Sequence, residues 1–315
     1  MTWHRPPITA LALVSLLACG PLPAPGGDDA GVAVDAASPD AGVDPDLRPE
    51  LIAERPYADK IPSDYDGTTA LPLLLSLHGL GSSGLDTATR IGLIQRVDSR
   101  GYLLAYPDGT TINGQLGWNA SCCGALYSGV DDVTYLRAVL ADMATRYRVD
   151  PRRVFVVGVS NGAFMAHLLA CQAAERIAAI ATHAGTMFAG EPDSCAPSQA
   201  VAVRHSHGTA DETVAYNGGA WIYGMIRISY LGAPEVVEVW RDRNGCGTSA
   251  VAGSADLDLA IAGEETLSSS YADGCRDGQS VDLYAMQGSS HIPAFNPSYV
   301  DGAIDFLYAH PKPGP

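Results

Sequence analysis

One serine in this sequence has the neighbours that a catalytic nucleophile needs. Ser160 lies in Gly158-Val159-Ser160-Asn161-Gly162, which fits the pattern G-x-S-x-G. The pentapeptide follows the apolar run VFVVGV and leads into a stretch with helical periodicity. On a sharp strand-to-helix turn, flanking glycines avoid collisions with the neighbouring elements, and the serine hydroxyl projects above the sheet at the positive end of a helix. We therefore predict that Ser160 is a nucleophile.

A serine hydroxyl is a poor nucleophile at neutral pH, so it needs a base that is oriented by an acid. With this kind of serine turn, the chain order is serine, acid, histidine. Asp211 follows an apolar run that ends near residue 203, with Glu212 as a neighbouring alternative. His291 follows the last apolar run of the chain, at 281–285. We predict Asp211 as the acid and His291 as the base.

The other histidines fit the role of the base less well. His183 and His207 precede the acid in the chain. His310 lies beyond the last predicted helix, and His4 lies in the N-terminal segment. His167 lies within the helix that follows the serine, where a packed histidine is the ordinary interpretation.

Acyl transfer also needs N–H donors for the oxyanion. One donor is expected to be the backbone N–H of Asn161, the residue after the nucleophile. The second should come from the loop after the apolar run LPLLLSL, which reads HGLGSSG from His78 onward. Its glycines let the backbone approach the substrate. The predicted donor is the amide of Gly79 or Leu80, with the His78 side chain in a structural role.

Strands and helices alternate through the body of the chain, which predicts an α/β fold with a mostly parallel central sheet and helices on both faces. The predicted strands are 71–77, 102–106, 154–159, 177–181, 201–203 and 281–285, and the predicted helices are 133–147, 163–173 and 299–309. One domain at 51–315 accounts for all of them.

The N-terminal 50 residues differ in composition from this body. Residues 1–18 read as a signal peptide, with Arg5 followed by an apolar run at 8–18 that is too short to span a bilayer. The run ends LLACG, which resembles a bacterial lipobox, so Cys19 is the predicted lipidation site and Gly20 favours the outer membrane over the inner. Residues 19–50 are rich in Ala, Gly, Pro and Asp and read as a disordered acidic tether.

The remaining six cysteines indicate an oxidising compartment and up to three disulfides. They are Cys122, Cys123, Cys171, Cys195, Cys246 and Cys275. The two late cysteines are expected to pair with each other. Since a disulfide between adjacent cysteines is strained, Cys122 and Cys123 are expected to reach separately toward Cys171 and Cys195. The spacing fits no zinc site, and no metal is expected.

The formal net charge is −16 at pH 7. This charge argues against nucleic acid or an anionic membrane surface as the main partner. The oligomeric state does not follow from the sequence.

Five blocks of the body resemble the extracellular esterases of the polyhydroxybutyrate depolymerase and feruloyl esterase type, within the α/β-hydrolases. The blocks are LPLLLSLHGLGSSG (71–84), GYLLAYPDGT (101–110), GWNASCCG (117–124), the segment from VDDV to LLAC (130–171) and RHSHGTADETVAYNGG (204–219). The resemblance implies an exported carboxylic ester hydrolase that needs no cofactor, with Ser160, Asp211 and His291 in the roles given above. It also places Trp118 near the acyl pocket.

The sequence departs from this family beside the base and after the acid. The family often has Trp-Pro after the histidine, whereas this chain has Ile292-Pro293-Ala294-Phe295. The aromatic residue is therefore missing or moved to Phe295. No separate polymer-binding domain is recognisable, which favours hydroxyalkanoate oligomers or related small esters over solid polyester. Feruloyl or acetyl groups on plant polysaccharides are the alternative substrates, and a non-catalytic binding lipoprotein is the alternative class.

Overall fold

The computed structural model of the protein describes residues 43–112, 114–120, 129–223 and 226–314. The predicted signal peptide, the lipidation site Cys19 and the cysteines Cys122 and Cys123 lie outside the described residues, as does most of the predicted tether.

The described chain alternates between strands and helices, as expected. The helices are α1 Pro49–Glu54, α2 Gly84–Arg90, α3 Val97–Arg100, α4 Asp132–Arg146, α5 Asn161–Gln172, α6 Glu191–Ser194, α7 Ala233–Asn244 and α8 Pro297–Ala309. The strands are β1 Ala58–Lys60, β2 Leu71–Leu77, β3 Leu103–Tyr106, β4 Thr110–Ile112, β5 Gln115–Gly117, β6 Val149–Val159, β7 Ala179–His183, β8 Ala202–Gly208, β9 Gly219–Tyr223, β10 Ile226–Tyr230, β11 Val251–Ala255, β12 Thr266–Tyr271 and β13 Val281–Met286.

Nine of these strands form one sheet in the order β1-β3-β2-β6-β7-β8-β13-β12-β11. The six strands from β3 to β13 in this order pair in parallel, and the strands outside them pair antiparallel. In this order β2 lies between β3 and β6, so the strands that follow β2 in the chain are added first on one side of it and then on the other. The strand order therefore reverses beside β2. In open α/β sheets, ligand sites form at the carboxyl ends of strands at such a point.

Each face of the sheet carries its own apolar core, because successive side chains of a strand point to opposite faces. Leu73, Leu75 and Leu77 pack on one face with α4 and α5, while Leu74 packs on the other face with α8. The parallel strands are therefore continuous apolar runs, which is why the sequence predicts them well. The predicted α/β-hydrolase architecture, a mostly parallel sheet covered on both faces, is confirmed.

The start of the body lies earlier than position 51. Asp44 and Asp46, both within the predicted tether, form ion pairs with Arg176, and Asp46 also contacts Arg137 of α4. The hydrogen bond from Arg176 lowers the pKa of Asp44. Residues 43–50 are thus attached to the body by charge complementarity, which composition alone did not indicate.

Two disulfides are present in the described residues. Cys246 is bonded to Cys275, the pair expected from the sequence. Cys171, near the end of α5, is bonded to Cys195, directly after α6, with their Cα atoms 5.0 Å apart. The expectation that these two cysteines pair with separate partners in the adjacent-cysteine segment is wrong, because the fold brings the two elements together.

Candidate active site

Ser160 occupies a strained turn between β6 and α5. Its φ of 54° and ψ of −120° lie in a region that side-chain-bearing residues rarely adopt. The Ser160 N–H donates to the His183 carbonyl at 2.8 Å, which ties the turn to β7. A Cβ atom on Gly162 would lie 2.2 Å from the Leu77 carbonyl oxygen, so only glycine allows α5 to start this close to β2. The G-x-S-x-G pattern thus has the structural cause that the sequence suggested.

The three predicted side chains form a hydrogen-bonded row. His291 Nε2 lies 2.9 Å from Ser160 Oγ, and His291 Nδ1 lies 2.7 Å from Asp211 Oδ2. The ionised carboxylate only accepts, so Nδ1 carries the proton and Nε2 is free to accept the serine proton. Asp211 follows β8 and His291 follows β13, the adjacent parallel strand, which brings the two loops to one edge of the sheet. Glu212, the alternative acid, is exposed.

The Asp211 carboxylate is buried and held by four donors. The amides of Thr213 and Val214 donate to Oδ1 at 2.8 and 2.9 Å. His291 and His207 contact Oδ2, the second at 3.2 Å. Burial alone would raise the pKa of Asp211, but these hydrogen bonds outweigh it and hold the pKa well below its usual value. The carboxylate therefore stays charged at neutral pH and orients the imidazole.

The segment that carries His291 is fixed from two sides. His183 Nε2 lies 3.1 Å from the His291 carbonyl oxygen, and burial lowers the pKa of His183 to about 3, so its neutral ring donates to this carbonyl. The Ser289 hydroxyl donates to the buried Asp258 carboxylate at 2.7 Å. Phe295 packs edge-on against His183, with ring centroids 5.0 Å apart. Neither His183 nor Asp258 is recognisable as part of the site from the sequence, because their contacts depend on the sheet order.

The loop after β2 places backbone donors beside the nucleophile. A Cβ atom on Gly79 would lie 3.3 Å from Ser160 Cβ, so the absence of a side chain allows the approach. The amides of Gly81 and Ser82 already donate to other carbonyls within the protein. His78 Nε2 accepts from the Gly109 amide at 2.8 Å, so its Nδ1–H donates to the Gly79 carbonyl at 2.8 Å. The amides of Gly79 and Leu80 donate to no acceptor among the described residues, so the assignment of one of them to an oxyanion hole stays a prediction.

Trp118 does not line the pocket. Its side chain is fully buried, and its indole N–H donates to the His78 carbonyl at 3.0 Å. The Trp118 amide donates to Asn161 Oδ1 at 2.7 Å, and Asn161 Nδ2 donates to the Trp118 carbonyl at 3.1 Å. Trp118 therefore joins the two predicted oxyanion segments from behind, and the sequence-based pocket assignment is replaced by this structural role.

A cavity of about 250 Å³ opens directly at the nucleophile. Its apolar lining includes Ile91, Ile292 and Phe295, and Ser160 and His291 line it as well. Arg90, at the end of α2, adds a positive charge to the wall. The side chain of Arg90 is exposed, and within the described ranges it forms no ion pair with an acidic side chain. The cavity can therefore hold a short apolar group together with a negative charge.

Comparison with known proteins agrees with this architecture. Residues 57–259 match the family model described as "Esterase PHB depolymerase". Feruloyl esterase B of Piromyces equi is 30% identical over 59% of the chain, and the bifunctional acetylxylan esterase/xylanase XynS20E of Neocallimastix patriciarum is 30% identical over 46%. The acetyl xylan esterase structure from Aspergillus awamori superposes with a TM-score of 0.56 at 15% identity, covering 79% of this chain and 92% of that one.

The match to the family model covers well over half of the chain, so the protein belongs to the PHB depolymerase esterase family. The chain spans about a third of the length of the Piromyces relative and a fifth of the Neocallimastix relative. The structural likeness supports the fold.

The described ranges contain neither a helix that could span a membrane nor a cluster of metal-binding side chains. None of the helices there is long and apolar enough to cross a bilayer. No group of three or more His, Cys, Asp or Glu side chains in these ranges is arranged to hold a metal ion.

Proposed function

We propose that this protein is a serine carboxylic ester hydrolase with Ser160 as nucleophile, His291 as general base and Asp211 as the orienting acid. The observation that carries the proposal is the row of hydrogen bonds of 2.9 and 2.7 Å that joins these three side chains, of which Ser160 and His291 line the cavity. Membership of an esterase family supports the same reaction class.

The reaction proceeds through an acyl-enzyme. Ser160 Oγ attacks the ester carbonyl while His291 Nε2 takes its proton, and the same proton then passes to the departing alcohol. A water molecule, deprotonated by His291, attacks the acyl-serine and releases the carboxylic acid. Asp211 holds the imidazole in the required tautomer and stabilises its charged form.

The oxyanion of each tetrahedral intermediate is stabilised by backbone N–H groups. We assign these to Asn161 and to Gly79 or Leu80, because the two segments flank Ser160 and are joined through Trp118. Loss of one such donor costs roughly 3–4 kcal/mol in the barrier of comparable enzymes.

Replacing the nucleophile tests the reaction class. Ser160→Ala should lower kcat on a p-nitrophenyl ester by roughly 10⁴-fold or more, since triad residues act as a unit. A fluorophosphonate should label the wild-type protein at Ser160. Full activity in the alanine variant, or no labelling of the native protein, would contradict the proposal, and the second outcome would favour a non-catalytic binding protein.

For the substrate, we propose hydroxyalkanoate oligomers of the hydroxybutyrate type or related small esters. The cavity is of a size for one short acyl group, and the Arg90 charge suits the terminal carboxylate that a free hydroxyacid oligomer carries. The activities for which the relatives are named indicate the alternative, feruloyl or acetyl esters. Such esters lack a carboxylate at this position.

Matched substrates distinguish these alternatives. The hydroxybutyrate dimer should be cleaved with a lower KM than its methyl ester, and Arg90→Gln should remove that difference while sparing the methyl ester. Arg227→Gln, which changes an arginine on β10 outside the cavity lining, is the control. Equal KM values for the two dimers, with higher kcat/KM on feruloyl or acetyl-xylan esters, would assign the protein to the alternative substrates.

We further propose that the protein is exported and anchored through a lipid on Cys19. The apolar run before Cys19 and the two disulfides among the described residues support an oxidising destination. Mass spectrometry of the mature N-terminus should find a lipidated Cys19. An unmodified residue other than Cys19 at that terminus would contradict the anchor.

A further inference from the structure

A continuous chain of buried polar side chains leads from the helical layer to the back of Asp211. The members, in order, are Trp240, His167, Thr182, His205 and His207, and each is buried. Trp240 Nε1 lies 2.9 Å from His167 Nδ1, and His167 Nε2 lies 3.4 Å from Thr182 Oγ1. Thr182 Oγ1 lies 2.9 Å from His205 Nδ1, and His205 Nε2 lies 3.3 Å from His207 Nδ1. His207 Nε2 then lies 2.8 Å from the Val214 carbonyl and 3.2 Å from Asp211 Oδ2.

Strand geometry explains why these groups meet. His205 and His207 are two residues apart on β8, so they point to the same face of the sheet. Thr182 is the cross-strand partner of His205 on β7. The face is covered by α5, which carries His167, and by α7, which carries Trp240. Burying three imidazoles under two helices costs free energy unless each ring forms hydrogen bonds, and here each ring has a hydrogen-bond partner.

The groups at the two ends of this hydrogen-bonded chain, the Trp240 indole N–H and the Val214 carbonyl, set the donor and acceptor of each hydrogen bond between them. An indole N–H can only donate, so His167 accepts at Nδ1 and carries its proton on Nε2. Burial lowers the pKa of His167 to about 3 and that of His205 well below its usual value, so both rings are neutral and have one N–H each. Thr182 then accepts from His167 and donates to His205.

The same direction continues to the site. His205 donates from Nε2 to His207 Nδ1, which leaves the His207 proton on Nε2. The Val214 carbonyl at the far end can only accept, and so requires the same proton position. The Nε2–H of His207, the last donor in the chain, therefore donates to the Val214 carbonyl at 2.8 Å and also lies 3.2 Å from the Asp211 carboxylate.

We propose that His207 is a positioning residue that keeps the Asp211 carboxylate oriented toward His291 Nδ1. The hydrogen-bonded side chains from Trp240 to His205 fix the His207 tautomer that makes this contact. The inference rests on the proposed function. His207 contacts Oδ2, the oxygen that also accepts from His291, whereas the backbone amides hold only Oδ1. Without His207, Oδ2 has a single donor, and the carboxylate can rotate about the bond that aims it at the base.

The surroundings of His207 define what a substitution changes. The titratable groups that face it are Asp211, His205 and Tyr216, whose ring packs edge-on with a centroid separation of 5.8 Å. His183 lies on the neighbouring strand and points to the opposite face. Removing the N–H donor leaves more of the Asp211 charge directed at His291, which favours the protonated imidazole.

Paired substitutions at His207 test the inference. His207→Phe keeps the ring volume but removes the donor. It should lower kcat on p-nitrophenyl acetate about tenfold at unchanged KM, and should move the acid limb of kcat/KM upward by roughly half a pH unit or more. His207→Gln can place an amide N–H near the position of Nε2, and should recover most of kcat and the wild-type acid limb. His310→Phe, which removes a histidine at the end of α8, should match the wild type.

Several outcomes would overturn the inference. They are an unshifted acid limb in folded His207→Phe, and equal losses in the Phe and Gln variants. If His207→Phe does not fold, Thr182→Val interrupts the hydrogen-bonded chain two members before His207, between His167 and His205. Its acid limb should still move upward, and an unmoved limb there counts against the proposal. Ser160→Ala distinguishes a failure of the proposed function from a failure of the role proposed for His207. If that variant keeps activity, the proposed function fails, whereas its inactivity together with a wild-type-like His207→Phe refutes only the role of His207.

Discussion

Replacing Glu191 by glutamine should make the protein more stable at pH 8 while changing little at pH 5. Glu191 begins α6 beside the Cys171–Cys195 disulfide and is only 4% exposed. Its Oε2 accepts from the Phe188 amide at 2.8 Å, and its Oε1 has no hydrogen-bond partner among the described residues. The cavity beside it measures about 10 Å³, the lower limit for holding one water molecule. Burial therefore raises the pKa of Glu191 from its ordinary 4.5 to about 8.

The sign and size of the effect on stability follow from this difference in the pKa of Glu191 between the folded and the unfolded chain. Between pH 4.5 and pH 8 the unfolded chain has released the Glu191 proton and the folded protein still binds it, so stability falls as the pH rises. Each pH unit within this window contributes about 1.4 kcal/mol. From pH 5 to pH 8, the free energy of unfolding should thus decrease by about 4 kcal/mol through this group alone. Glutamine does not titrate and removes that slope.

Urea unfolding at pH 5, 6.5 and 8, with the disulfides intact, measures the effect. Urea is preferred to guanidinium because it leaves charge interactions unscreened. The difference in unfolding free energy between Glu191→Gln and wild type should grow steadily with pH in favour of the variant. Glu238→Gln, an exposed glutamate of α7, should follow the wild-type curve. Parallel curves for wild type and Glu191→Gln from pH 5 to pH 8 would refute the reasoning.

Three further predictions concern the turn, a disulfide and the acid. Gly162→Ala should abolish activity and destabilise the fold by about 3 kcal/mol or more, because its Cβ would lie 2.2 Å from the Leu77 carbonyl; a wild-type melting temperature would contradict this. Replacing Cys246 and Cys275 together by serine should cost about 3–4 kcal/mol of unfolding free energy in urea, given their separation of 29 residues. Because the pKa of Asp211 is held low in the folded state, its contribution to stability is present above about pH 4 and is lost below it. Asp211→Asn should therefore show a flatter loss of stability than wild type on acidification below pH 4, as followed by circular dichroism.

The parts of the site that the sequence predicted are those set by local rules. A buried parallel strand is a continuous apolar run, and a serine turn needs glycines at fixed positions, so Leu71–Leu77 and the turn at Ser160 could be located directly. The chain order of acid and base selected Asp211 and His291 over their competitors. Strand ends were less exact: the strand expected at 177–181 is Ala179–His183.

The remaining features depend on contacts between distant segments. Strand β11 is largely exposed, β12 is mostly half-buried, and both are rich in small residues, so they carry little apolar signal. The pairing of Cys171 with Cys195 requires knowing that α6 folds back onto α5. The family resemblance placed Trp118 near the acyl pocket, but its ring is fully buried and its indole N–H donates to the His78 carbonyl. The alternating histidines of β8 are visible in the sequence RHSHG. Their place in a longer hydrogen-bonded chain depends on Thr182 of the neighbouring strand β7.

The order of strands in the sheet has a consequence for the time at which the active site forms during folding. Ser160 and His291 are separated by 131 residues, and Asp211 and His291 by 80. The base arrives only after β13 has docked beside β8, a pairing of high sequence separation that is expected to form slowly. A chain that has already folded β2, β6 and the helices around them holds the serine in its strained turn but has no base beside it. During refolding, recovery of ester hydrolysis should therefore lag behind recovery of the helical signal, which makes activity a measure of the final step of assembly.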